Sequence, residues 1–154
     1  MPTTGTLSHI DISAGYPEKS IPFYDALFLA LGYKRWHFDS PEWQGPNPQR
    51  ASWAMRQPGS GVFGVEVRPA RKESRERKYD RYEPGPHHIA FNAESPAVVD
   101  AVYRAMLAVD AEVLDPPTEY GGQAGYGESY YAVFFADPDN MKLEVVYVPD
   151  SKPK

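Results

Sequence analysis

A chain of 154 residues without cysteine excludes disulfides, thiolate metal sites and cysteine nucleophiles, and is long enough for one domain or two small joined halves with a real core. A formal net charge of -5 argues against a nucleic-acid partner. No apolar run nears the roughly 20 residues of a membrane-spanning helix, and Met1 to Thr6 has neither a basic start nor an apolar segment, so no membrane association and no signal peptide are expected and the expected location is cytoplasmic.

In chain order, Leu7 to Ser13 alternates. Leu7, His9, Asp11 and Ser13 point one way, and Ser8, Ile10 and Ile12 the other, which predicts a strand with a polar and an apolar face. Glu18 to Leu31 carries Ile21, Tyr24, Leu27, Phe28 and Leu31 as a helical stripe, with Gly32 as the C-terminal stop. Tyr33 to Phe38, Ala51 to Arg56 and Gly61 to Arg68 read as strands, the first two separated by a Pro/Gly-rich loop from Ser40 to Gln49. Arg68 to Arg81 mixes both signs of charge. It reads as a solvated loop or short surface helix, or more sharply as a lid that brings an arginine to an anionic substrate.

The second half repeats the pattern. His87 to Ala93 is a strand, and Ser95 caps a helix that has Pro96 at its first position and runs to about Val109. Its core stripe is Val98, Val99, Val102, Met106 and Val109. Glu112 to Leu114 is a short strand, followed by a long loop with Pro116, Pro117 and four glycines. Tyr130 to Ala136 and Lys142 to Val148 close a hairpin through Asp137-Pro138-Asp139-Asn140. The expected fold class is therefore α+β, with two βαβββ repeats and helices outside. The modules are expected at 1–80 and 81–150, with 151–154 a disordered tail.

Sliding the chain by 79 residues lays His9 on His88, Ile10 on Ile89, Ala14 on Ala93, Pro17 on Pro96 and Tyr24 on Tyr103 without a gap. Val65-Glu66-Val67 and Leu143-Glu144-Val145 align at an offset of 78. A pseudo-two-fold relation then sets His9 beside His88 and Glu66 opposite Glu144. Two histidines and a carboxylate form the minimal set for a divalent ion with open positions, so His9, His88 and Glu144 are the expected ligands. A strand glutamate between core residues is costly to bury unless paired or metal-bound. Glu66 is either a general base beside the metal or a strand residue paired with Arg68 or another cation. His87 is expected to face away from its neighbour as a structural residue, and His37 to sit at a rim. Asp11, Asn92, Tyr130 and Lys142 share the site face by alternation. Tyr120 and Tyr126 lie on the Gly-rich loop, a plausible mobile lid, and Trp36, Trp43 and Trp53 are candidates for an apolar wall. Of these, Tyr130, Asn92 and Tyr126 are the candidate substrate contacts.

The segments LSHIDIS, SIPFYDALFLALGY, GPHHIAFNAES and YYAVFFADPDNMKLEVVYVP together resemble the vicinal oxygen chelate superfamily, which includes glyoxalase I, bleomycin-resistance proteins and extradiol dioxygenases. The resemblance implies that the two repeats form a curved mixed sheet or half-barrel around a metal site, with one divalent metal (Fe, Mn, Ni, Co or Zn) on His9, His88 and Glu144. By likeness to glyoxalase I, Glu66 is in the place of a fourth ligand. One departure is Asn140, where the family usually has glycine, and Asn tolerates the left-handed backbone of such a turn. The implied activity is metal-dependent isomerase or lyase chemistry, through an enediolate, on a small substrate with neighbouring oxygens. The alternatives are an extradiol-type Fe(II) dioxygenase and a non-catalytic protein that sequesters a small molecule in an aromatic cleft. A homodimer is implied by the same resemblance.

Overall fold

The structure, a computed structural model, describes residues 4–36, 43, 47–59 and 61–149. His37, part of the Ser40 to Gln49 loop and the 151–154 tail lie outside them. The chain divides into two compact units, Met1–Arg77 and Lys78–Lys154.

The first unit runs β1 (His9–Ala14), α1 (Pro17–Ala30), β2 (Lys34–Trp36), β3 (Ala51–Gln57) and β4 (Gly61–Pro69), then a 3-10 turn at Lys72–Ser74. Its sheet has the order β1-β4-β3-β2, with β1 parallel to β4 and the other pairs antiparallel. The second unit runs β5 (Ile89–Asn92), α2 (Pro96–Leu107), β6 (Glu112–Glu119), β7 (Tyr131–Ala136) and β8 (Lys142–Tyr147), in the order β5-β8-β7-β6. Each unit is therefore a βαβββ module with a mixed four-stranded sheet, as the sequence predicted. The register repeats as well: Asp11 pairs with Glu66, and Ala90 with Glu144, at the same two-strand position.

Each helix covers one face of its own sheet. In the first unit Ile12, Ile21, Tyr24, Leu27, Phe28, Trp53, Val65 and Val67 are buried. Phe28 sits 5.3 Å from Trp53 and 4.9 Å from Tyr33, ring centre to ring centre. Full burial of such a ring contributes about 1.5–3 kcal/mol. α1 stops where Gly32, at φ +85°, takes the left-handed conformation that ends a helix. In the second unit α2 buries Val99, Val102 and Met106, and the Ser95 hydroxyl accepts from Val98 N at 3.4 Å. Asn140 has φ +73° in the turn between β7 and β8, as expected of that residue.

Four readings are corrected. Val109 lies beyond α2 and is 40% exposed, so it is no part of the core stripe. β6 continues through Pro116 and Pro117 to Glu119 instead of ending at Leu114. It is the outer strand, and its pairing slips between Val113 and Asp115 and again between Asp115 and Thr118, so the missing proline N–H groups are tolerated. Trp53 is fully buried among the aromatic residues of α1 and lines no open face. His87 precedes β5, so strand alternation does not govern it, and its ring turns back onto His88.

Candidate functional site

The sheet faces away from the helices carry the polar residues. In the second unit, Ala90 and Asn92 of β5 are exposed while Phe91 is buried. Glu144 stands opposite Ala90 on one side and Phe134 on the other. It is 1% exposed. That cost is offset by two donors. The Tyr130 hydroxyl donates to Glu144 Oε1, and His88 Nε2 lies 3.0 Å from Oε2. Glu144 thus has one oxygen held by a phenol and the other turned to an imidazole.

Both partners are themselves held. His88 Nδ1 is 2.8 Å from His87 Nδ1, so one ring donates and the other accepts. Loss of solvent first, then His88, Lys142 and Arg81, lower the His87 pKa, which keeps that ring neutral near pH 7 and able to play either part. Tyr130 packs 4.6 Å from Tyr126, which is 5.6 Å from Tyr120. Ala132, Phe134 and Val146 form the apolar floor, with Leu114, Tyr120 and Tyr130 against it. Burial, then the adjacent Glu144 carboxylate, raises the Tyr130 pKa well above the usual tyrosine value, so its hydroxyl stays a donor. Lys142 lies over the Phe134 ring at 4.2 Å.

The base of the tyrosine loop is pinched by Glu119. Its carboxylate accepts from Gly121 N at 2.7 Å, Tyr130 N at 2.6 Å and the Ser129 hydroxyl at 3.1 Å. The backbone N–H groups of Tyr130 and Gly121 lower its pKa. Sequence reasoning missed Glu119, because nothing in the chain marks a loop-closing carboxylate.

In the first unit His9 is exposed at the start of β1, opposite Gly64. Glu66, the register equivalent of Glu144, has entirely different partners. Its Oε1 accepts from Arg50 Nη2 and, at 3.0 Å, from Arg50 Nε. Arg68 Nε lies 3.6 Å away, and Arg68 Nη1 is 3.4 Å from Asp11 Oδ2. The pairing with Arg68 was one of the two sequence readings. Arg50 was not foreseen, although alternation from Ser52 already places it on the Glu66 face.

The donor set in the second unit fits a divalent ion. His88 Nε2 and Glu144 Oε2 stand side by side at 3.0 Å, and these are the two atoms that would hold an ion. Imidazole nitrogen with a single carboxylate oxygen suits Mn, Fe, Co, Ni or Zn. Among the described residues, no group of three or more His, Asp or Glu side chains is gathered as a metal cage.

The family model described as Glyoxalase/Bleomycin resistance protein/Dioxygenase superfamily matches residues 6–145. The chain is similar to YqjT, an uncharacterized protein of Bacillus subtilis (strain 168), at 29% identity over 141 residues, covering 91% of this chain and 97% of that protein. Among solved structures it is similar to a candidate glyoxalase from Bacillus halodurans, with 25% identity and a TM-score of 0.69 over 94% of this chain and 97% of the other. It shares its fold with a glyoxalase/bleomycin resistance protein from Albidiferax ferrireducens T118, at 24% identity and a TM-score of 0.60 over 92% and 98% of the two chains.

Proposed function

This chain belongs to the glyoxalase/bleomycin resistance protein/dioxygenase superfamily, and on that premise we propose that it is a metal-dependent enzyme acting on a small molecule with two neighbouring oxygens. The proposed ligands in the second unit are His88 and Glu144, and His9, the repeat equivalent of His88, is the third ligand that the family resemblance implies. The observation that carries the proposal is the buried Glu144 carboxylate, whose Oε2 stands 3.0 Å from His88 Nε2. A divalent ion, when bound, supplies Lewis-acid polarisation of substrate oxygens.

The chain's own residues do the rest. Tyr130 holds Glu144 Oε1 and leaves Oε2 as the ligand oxygen. His87 orients the His88 ring through Nδ1. Tyr126 and Tyr120 supply an aromatic wall, their rings 5.6 Å apart. Glu66 is the carboxylate proposed to move a proton, once released from Arg50 and Arg68. Sequestration of a ligand without turnover is the second reading, favoured by the tyrosine cluster of residues 120, 126 and 130.

The test is metal analysis of protein purified without chelators, followed by calorimetric titration with Mn, Fe, Co, Ni and Zn. About one equivalent, lost in His88→Ala and Glu144→Gln, is expected. Less than about a tenth of an equivalent with no uptake overturns the metal reading and leaves sequestration.

A further inference from the structure

The first unit holds a second constellation, of which the metal reading uses only Glu66. A pocket of ≈ 410 Å³ is lined by Gln49, Arg50, Arg68 and Pro69. No acidic residue is among these lining residues. Two acids pair with the guanidinium groups: Glu66 accepts from Arg50 Nε and Nη2, and Asp11 and Glu66 lie 3.4 and 3.6 Å from Arg68. Arg50 also rests over the Trp43 ring, 4.9 Å from its centre. Both arginines are thus braced in place, yet their side chains remain 24% and 43% exposed.

A guanidinium presents five donors in a planar fork matched to a carboxylate or phosphate. Arg68 meets its acidic partners only at the long end of the ion-pair range, so an incoming oxyanion competes for it at small cost. Glu66 already shows how such a group is held, with one carboxylate oxygen taking both arginines. The volume suits a small metabolite fragment.

We propose that this pocket binds the carboxylate or phosphate group of a small molecule through Arg50 and Arg68, with Glu66 as the internal competitor. The inference stands on the first unit alone and needs no metal. It also gives the charged segment that begins at Arg68 the anionic ligand that its composition suggested.

The experiment is calorimetric titration of metal-stripped protein at low ionic strength with inorganic phosphate and, separately, malonate. Circular dichroism melting of each variant confirms folding. Saturable binding of at least one anion in the millimolar range is expected. Arg68→Gln weakens it about tenfold, and Arg50→Lys weakens it while keeping the charge, because the fork is lost. Glu66→Gln tightens it, because the competing carboxylate is removed and the amide keeps its shape. A preference for phosphate or for malonate identifies which oxyanion the pocket takes. No saturable heat from either anion up to about 50 mM overturns the proposal. So does a folded Arg68→Gln or Glu66→Gln protein that binds with unchanged affinity. Failure here leaves the metal titration untouched, and failure of the metal titration leaves this result untouched.

Discussion

Glu144 shows how a single residue can be expensive and still be retained. A carboxylate at 1% exposure between Leu143 and Val145 is tolerated only because the Tyr130 hydroxyl and the His88 ring reach it. Tyr130→Phe leaves one buried carboxylate oxygen without its donor. Urea unfolding should show a loss of about 1–2 kcal/mol. If Tyr130 fixes which oxygen faces the ion, the same variant should bind metal about 10–100-fold more weakly, since groups that orient ligands carry that much affinity. An unchanged titration in a folded Tyr130→Phe protein would mean that the phenol only satisfies the carboxylate.

At the scale of elements, the segment from β6 to β7 depends on Glu119 and Gly121. A Cβ at position 121 would lie 2.4 Å from the Glu128 carbonyl oxygen and 2.6 Å from both Glu119 Oε1 and Ser129 Cα. Backbone cannot yield there, so Gly121→Ala should cost about 1–3 kcal/mol and loosen the loop that carries Tyr126. Glu119 makes the same loop sensitive to acid. Its pKa is lowered in the folded chain by the N–H groups of Tyr130 and Gly121. Its contribution is therefore complete above the ordinary value of 4.5 and is lost as pH falls through the lower folded value. Hydrogen exchange should show the amides of residues 121–130 losing protection in that acid window before β7 and β8 do. Glu119→Gln should remove the pH dependence.

For the whole molecule, the two units share strand order and register while the matched carboxylates have different partners. Two modules of identical strand order place Glu66 and Glu144 at the same register position. One is gripped by arginines and the other by a histidine and a tyrosine. Under the two proposals, the repeated backbone offers one chemistry suited to anions and another suited to cations. If an ion binds the native chain, mass action at about a hundred times its dissociation constant adds about 3 kcal/mol. For a chain of this length that should raise the melting temperature by about 5–10 °C, reversibly with chelator. A melting curve indifferent to every divalent ion would contradict the proposed metal site.

The sequence by itself determined both βαβββ modules, their 79-residue offset and the polar faces of β1 and β5, because alternation and helical stripes are local and each module repeats them. It also marked Glu144 as anomalous, since an acid inside an apolar strand is visible without coordinates. Only the tertiary structure decided the partners. Arg50 meets Glu66 across 16 residues of chain and Tyr130 meets Glu144 across 14. Alternation puts each pair on one face of its sheet, but which side chains meet there depends on strand pairing between segments apart in the chain. The same reason explains β6, where edge position overrides the warning of two prolines, and His87, whose ring direction is set by the chain just before the strand rather than by strand alternation.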